Sequence, residues 1–341
     1  MSETKRTNPF LLVGLPILAV LIAAVALYIA LIRVPTQQSV SAQQEALIKL
    51  LGVTQHVTNK LAPEYTDANG DLVADVPADV SKQIDPAVLR ISFIATDEPE
   101  TYRTAFTEFT DGLAKATGKK VEYVLYNYVR DEIRALKSGE LHVCGLNTGN
   151  VPRAVNLAGF VPVAALATPE GDPYIRAVFI TPASSAIKSL SDLKGGTLVV
   201  TDLGSNSGYR VPVGMLKGQG LLPERDYQLR YSGSHENSIA KVAGGTADLA
   251  GVASDILGRE LAAKTITAAQ YRKVAESEKF PSGTLGYAYN LKPELAAKIR
   301  DYIVAFDWKG TGLEKALGGG GSAKFAPIKY KDDFALVRRI D

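Results

Sequence analysis

Cysteine is almost missing from this chain. Cys144 stands alone among 341 residues, so no intrachain disulfide forms and no zinc site built on two or more cysteines is available. No cysteine lies near the N-terminus to carry a lipid. Histidine is scarce as well. His56, His142 and His235 are too scattered for a His-rich metal centre, and neither metal nor cofactor is expected. No sign of charge dominates: 38 Lys and Arg against 36 Asp and Glu leave a net +2. The basic residues are spread along the chain and do not interleave with aromatics, which argues against a nucleic-acid partner. There is no P-loop, no nucleophile elbow and no cluster of metal ligands, so an enzyme is not expected. Nor is there a solenoid-type repeat.

What is present begins with a long apolar run. Residues 7–32 carry no charge and are mostly Leu, Ile, Val and Ala. A bilayer needs about 20 apolar residues, whereas a secretory h-region is shorter. The expectation is an uncleaved signal anchor over residues 7–33; removal at Val40-Ser41-Ala42 is the alternative. Lys5 and Arg6 precede the run and only Arg33 follows closely. The positive-inside rule then places residues 1–6 in the cytoplasm and the rest outside the cytoplasmic membrane, in the periplasm or beyond. Residues 34–86 are polar and proline-bearing and are expected to be an extracytoplasmic tether. Within it, Asp67, Asn69, Asp71 and Asp75 resemble the start of a calcium loop. The glycine falls two positions early and the distal Glu is missing, so an acidic turn is the competing reading.

From about residue 87 the pattern is α/β. Strand-like runs at 88–95, 121–126 and 141–144 alternate with helical patterns at 99–117 and 130–137. Two more strand-like runs follow at 161–167 and 175–181. A second strand–helix series runs through 197–200, 227–231, 236–243 and 247–252. A strand near 287–291 and a helix at 293–306 end the pattern. Strand–helix alternation predicts doubly wound parallel sheets. Two such series predict two lobes facing one cleft: 87–183 with 285–341, and 184–284. Ligands in these folds sit off the carboxyl ends of strands. Here those ends are Thr96-Asp97, Tyr126 to Tyr128, and Gly145 to Asn150. Gly318 to Ser322 looks like a linker and is expected to be a flexible loop.

Ser205, Asn206, Ser207 and Gly208 stand between the strand at 197–200 and a helix expected over 213–219. A helix start has unpaired N–H groups and a positive dipole end, so it suits an anion. The hydroxyls and amide add donors, and glycine lets an oxyanion approach the backbone. Ser and Asn are equally ordinary N-caps. His235 opens the helix after the next strand, as a ligand donor or as a capping residue. Asp255 follows the strand at 247–252, as a site residue or an N-cap.

Three stretches in order carry a family resemblance. Ser205-Asn206-Ser207-Gly208-Tyr209-Arg210-Val211-Pro212 resembles a Ser-Thr-Ser-Gly-aromatic run ending near Val-Pro. Ser232 to Ser238, followed by Val242 to Asp248, resembles a Gly-His-acidic helix start and its ending in Asp. Ser189-Leu190-Ser191-Asp192-Leu193-Lys194-Gly195 is a weaker mark. From about residue 89 onward the chain resembles the substrate-binding proteins of phosphonate, phosphite and phosphate ABC transporters. The resemblance implies a type II periplasmic-binding-protein fold of two doubly wound α/β lobes joined by a hinge, a small oxyanion ligand, and ABC permease and ATPase partners. It implies phosphoryl contacts from Ser205, Asn206, Ser207 and Gly208, a cleft histidine at His235, and further contacts from Tyr128, Asn147 and Tyr174. It also implies carboxylates for a ligand amine; Asp255 meets one such position, whereas Pro281-Ser282-Gly283 meets the other with none. An unpaired buried ammonium is costly, so phosphate, phosphite or a small neutral-tailed phosphonate is expected. The alternative function is a ligand sensor that uses the same two lobes to signal to a membrane partner.

Overall fold

A computed structural model describes residues 60–93 and 99–340. The expected anchor at 7–33, the first part of the tether and the Thr96-Asp97 strand end lie outside the described residues. Among the described residues no helix is long and apolar enough to cross a membrane.

The strands in chain order are β1 (Val88–Phe93), β2 (Lys120–Tyr123), β3 (Val143–Leu146), β4 (Phe160–Ala167), β5 (Tyr174–Ile175), β6 (Ala177–Pro182), β7 (Thr197–Val200), β8 (Gln228–Tyr231), β9 (Leu249–Ala253), β10 (Tyr271–Glu276), β11 (Phe280–Pro281), β12 (Thr284–Ala288) and β13 (Lys324–Pro327). The helices are α1 (Pro99–Ala105), α2 (Thr107–Thr117), α3 (Val129–Ser138), α4 (Val151–Ala158), α5 (Val211–Gly218), α6 (His235–Ala243), α7 (Ser254–Ala262), α8 (Pro293–Ala305), α9 (Gly312–Leu317), α10 (Tyr330–Asp333) and α11 (Ala335–Ile340).

A six-stranded sheet runs β13-β4-β12-β3-β1-β2, and a five-stranded sheet runs β10-β6-β9-β7-β8. Each keeps a parallel trio: β2, β1 and β3 in the first, β8, β7 and β9 in the second. The remaining strands are antiparallel. The sheets are therefore mixed and not purely parallel as expected, because strands arriving from the other lobe enter against the trio. The inner strands β3 and β9 are buried along their whole length, which is why they read as unbroken apolar runs. Amphipathic helices cover the sheets. On α2, Phe109, Leu113 and Thr117 face inward, and Gly118 ends the helix in the left-handed region at φ 72° with its N–H on Ala114 O. Phe106, Phe109, Trp308, Phe325 and Phe334 are fully buried in the first lobe, each worth about 1.5–3 kcal/mol of burial.

Two expectations change. The lobe boundary at 183 is too late: β6 is a strand of the second sheet, so the chain has already crossed by residue 177. It crosses at β5 and returns at β11, and these two short strands pair with each other, Phe280 with Ile175 and Pro281 with Tyr174. The latter half of the expected tether is not a tether. Ala62 N donates to Asn156 O at 2.9 Å, Tyr65 packs edge-on against Tyr289, and Leu61, Leu72 and Val73 lie against the first core. Lys137 pairs with Glu64 at 2.9 Å. Apolar residues at this spacing gave no helix or strand period, so the packing was invisible in the pattern. In the acidic turn, Asp67 accepts from the N–H groups of Asp71 and Leu72, and Asp75 from that of Ala68. Among the described residues no group of His, Cys, Asp and Glu is arranged to hold a metal ion.

Candidate functional site

The site starts from a break in helix geometry. The helix after β7 does not begin at 213. Asn206–Arg210 form one π-helical turn that runs straight into α5. Arg210 N donates to Ser205 O at 3.0 Å and Val211 N to Asn206 O. Pro212 accounts for the irregularity. It has no N–H for the carbonyl of Gly208, which an α-helix would require; that carbonyl instead accepts from Thr201 N at 3.2 Å. Ser205 is the N-cap, and its Oγ accepts from Gly208 N at 3.0 Å. Gly208 is needed for a steric reason. A Cβ there would lie 2.2 Å from Thr201 Oγ1 and 2.9 Å from His235 Cε1.

This turn forms one wall of a cavity of about 130 Å³, well below the ~300–1,000 Å³ usual for drug-sized ligands. Ser205, Asn206, Ser207, His235, Asp255 and Arg259 line it from the second lobe. Phe93, Asn147, Thr148, Ser282 and Gly283 line it from the first, with Leu317, Gly320 and Ser322 at one side. A second chamber of about 190 Å³ adjoins it and shares Asp255, Ser282, Gly320 and Ser322. The lobes meet closely beside the cavity. Arg210 Nη1 donates to Gly149 O at 2.7 Å, and a Cβ on Gly149 would lie 2.5 Å from Gly204 O.

Ser205, Asn206, Ser207 and His235 face the cavity as neutral donors, beside Asp255 and Arg259. Asn206 is 3% exposed, and neither its Oδ1 nor its Nδ2 has a partner in the protein. Buried polar groups are normally paired, so this amide is poised for something that enters the cavity. His235 is 9% exposed. Its Nδ1 accepts from Ala253 N at 3.2 Å, which assigns the ring proton to Nε2, 3.3 Å from Ser207 Oγ. Burial pushes its pKa down to about 4. With Nδ1 occupied as an acceptor, Nε2–H is the donor that the ring offers beside Ser207. Asp255 sits in the first turn of α7, with its Oδ1 buried and unpartnered. Burial raises its pKa, while the N–H groups of Ile256 and Asp255 and the nearby Arg259 pull it back. Arg259 is ion-paired with Glu236.

Ser205, Asn206, Ser207, His235, Asn147 and Asp255 thus come to one cavity, with Gly208 packed behind its wall. Asn147 Oδ1 accepts from Asn150 Nδ2 at 2.5 Å, which orients the amide. Tyr128 is not brought to the cavity. It is 58% exposed, with the Arg130 guanidinium 4.6 Å from its ring centre. Tyr174 lies in the crossover ladder and lines the second chamber only; its hydroxyl donates to Asp333 at 2.8 Å. Three features were missed. Arg259 and Ser282 have no local signal, and the loop 318–322 looked like a linker but walls both chambers.

Residues 91–334 match the family described as ABC transporter, phosphonate, periplasmic substrate-binding protein. A curated relative, the "Phosphate-import protein PhnD" of Mycolicibacterium smegmatis, is 24% identical over 194 residues, 54% of this chain and 60% of that protein's length. Solved structures share the fold. XAC2383 from Xanthomonas citri bound to ATP superposes with a TM-score of 0.63 at 19% identity, over 75% of this chain and 98% of the other. PhnD1 from Prochlorococcus marinus in complex with methylphosphonate gives 0.61 at 17%, over 75% and 97%. The family is one of substrate-binding proteins. With that match over residues 91–334, and two α/β lobes that fit it, the chain belongs to the family of periplasmic substrate-binding proteins of phosphonate ABC transporters.

Proposed function

We propose that this protein is the extracytoplasmic binding component of an ABC importer for a small phosphorus oxyanion: phosphate, phosphite or a phosphonate with a small neutral tail. The observation that carries the reading is Asn206, whose buried amide has no partner and lines a cavity shared with Ser205, Ser207 and the Nε2–H of His235. Hydroxyl, amide and imidazole donors hold an oxyanion through charge-assisted hydrogen bonds, with Arg259, ion-paired to Glu236, also in the wall. Asn147 adds an amide from the opposite lobe. Lobe closure over the ligand then presents one face to the permease. Residues 281–283 offer no carboxylate, and Ser282 and Gly283 line the cavity, so the ligand has no ammonium. Residues 7–33 anchor the protein in the cytoplasmic membrane, with 1–6 inside and the two lobes outside. Alkaline extraction of membranes tests the anchor: release of the full chain overturns it. Calorimetric titration of the full-length chain with phosphate, phosphite, methylphosphonate and aminoethylphosphonate tests the ligand. Binding of at least one of the first three is expected. No binding to any of the four overturns the reading, and tight binding of aminoethylphosphonate overturns the argument from residues 281–283.

A further inference from the structure

Four glycines follow one another in the loop between α9 and β13, Gly318 to Gly321, and the folded loop needs only one of them. Gly321 sits in the left-handed region at φ 85°. Gly318–Gly320 form a 3-10 turn, with Gly318 at φ −63° and ψ −30°, and neither Gly319 nor Gly320 is left-handed. A Cβ on Gly318 or Gly319 would meet nothing closer than 3.7 Å, and one on Gly320 nothing within 4 Å. Alanine therefore fits at all three. Glycine loses more chain freedom than alanine when it is ordered, so the closed loop gives no reason for the run. Ease of leaving the closed shape does. The loop is also pinned at both ends and thin between them. Leu317 packs in the first core, Ala323 N donates to Ala167 O at 2.8 Å, and Phe325 beyond it is buried. Between these ends Gly321 N donates to Gly318 O at 2.8 Å, a bond that travels with the loop. Gly320 and Ser322 line both chambers, while Gly319 and Gly321 are exposed to solvent. A single layer of backbone thus separates the chambers from solvent here. It lies against the second lobe at the stem of Arg259, whose Cδ would be 3.7 Å from a Cβ on Gly319 and whose guanidinium is held by Glu236.

We propose that residues 318–322 are a gate: the loop swings off the Arg259 stem and admits a small solute to both chambers without the lobes parting. The inference rests on the oxyanion reading above only for the identity of that solute. The loop must open before passage in either direction. Where opening and closing are fast, the population of the open form sets both rates. A stiffer loop then slows entry and exit by the same factor and leaves the affinity alone. Lobe closure has a different signature: an added contact between the lobes slows exit alone and tightens binding.

Two variants of the full-length chain push the gate in opposite directions. The double change Gly319→Ala, Gly320→Ala stiffens the loop and is expected to slow every opening-dependent rate by about 4–30-fold. Gly321→Ala places a Cβ in the left-handed region of the closed turn and is expected to speed the same rates by about 5–30-fold. The first readout needs no ligand. Ser282 is 4% exposed and lines both chambers. Ser282→Cys is labelled with a small methanethiosulfonate in each background, and peptide mapping separates it from the buried Cys144. The reagent is kept dilute, so that reaction and not opening limits the rate. The second readout is association and chase of radiolabelled phosphate in chains with Ser282 intact. Labelling, association and dissociation are expected to slow together in the double variant and to quicken together in Gly321→Ala, with Kd level within about twofold. Labelling that neither variant changes overturns the gate, whatever the cavity binds. Dissociation slowed with association unchanged assigns the effect to lobe closure and overturns it too. Labelling that shifts as expected in a chain that binds no phosphate supports the gate and counts against the oxyanion reading alone. Where Gly321→Ala fails to fold, the double variant decides.

Discussion

Gly208→Ala tests whether the wall of the cavity is built as described. The glycine is not in the left-handed region, so alanine adds no backbone strain and the whole effect is steric. The new methyl lies 2.2 Å from Thr201 Oγ1, 2.6 Å from Thr201 Cγ2 and 2.9 Å from His235 Cε1. All three are inside van der Waals contact, and Thr201 is 2% exposed on a β-branched side chain with little freedom to turn. Overpacking of this kind costs about 1–3 kcal/mol. For a folded region of this size that lowers Tm by roughly 2–10 °C. The second consequence is for binding, because the methyl displaces His235 from Ser207. Loss of one hydrogen bond to a charged ligand costs about 1.5–3 kcal/mol, or roughly 10–150-fold in affinity. The double variant Thr201→Ala, Gly208→Ala separates the two effects. It removes both threonine atoms that clash but leaves the contact with His235. Thermal unfolding is expected to recover most of the lost stability in the double variant, whereas calorimetry with phosphate shows affinity still reduced. Gly208→Ala with Tm and affinity both unchanged refutes the packing argument. A double variant no more stable than the single one refutes the assignment of the clash to Thr201.

Asn206→Ala is expected to leave the Tm of the free protein level or slightly higher, since it removes a buried amide with no partner, while phosphate affinity drops by about 10–150-fold; a marked loss of ligand-free stability counts against its role in binding. His235 gives a pH dependence. Its folded pKa, near 4, lies below the ordinary value for histidine, so the folded state binds fewer protons than the unfolded state between about 4 and 6.5. Stability from this group is complete above about pH 6.5 and is lost as pH falls towards 4, by up to about 3 kcal/mol. Thermal unfolding from pH 4 to 8 is therefore expected to fall less steeply towards acid in His235→Gln than in wild type, and parallel curves reject the buried neutral ring. Tyr128→Ala removes a side chain that is 58% exposed and is expected to change phosphate affinity by less than about twofold; a tenfold loss places Tyr128 in the bound state after all. Tyr174→Phe deletes the bond to Asp333 and is expected to cost about 1 kcal/mol of stability by thermal unfolding, with affinity retained.

How much was legible in the sequence depends on how far apart in the chain each feature is built. The parallel trios, the amphipathic helix at α2 and the polar turn at 205–208 are each made by consecutive residues, and periodicity or turn chemistry reports them directly. The turn at 205–208 needs only its own serines, amide and glycine, and it was found. Its π-helical geometry was not, because that required seeing that Pro212 leaves the Gly208 carbonyl to Thr201. Features that require two distant segments were misread or missed. The antiparallel strands follow from where the chain crosses between lobes. The packing of Tyr65 on Tyr289 joins residues more than two hundred positions apart. Arg259 and the loop 318–322 become part of one wall only when α7 meets the first lobe.

His235 shows the same division within a single side chain. Its position at the start of a helix was readable from the pattern. Its tautomer was set by the N–H of Ala253, eighteen residues on, and its neutrality by burial that no local pattern contains. Asp255 goes one step further. The family resemblance implied that this position would meet a ligand amine. The folded wall instead sets this carboxyl among neutral donors and an arginine already paired with Glu236. Burial raises its pKa, while the N–H groups of Ile256 and Asp255 and the nearby Arg259 pull it back. The charge count of the assembled cavity therefore decides what the residue reads, and that count exists only once both lobes are in place.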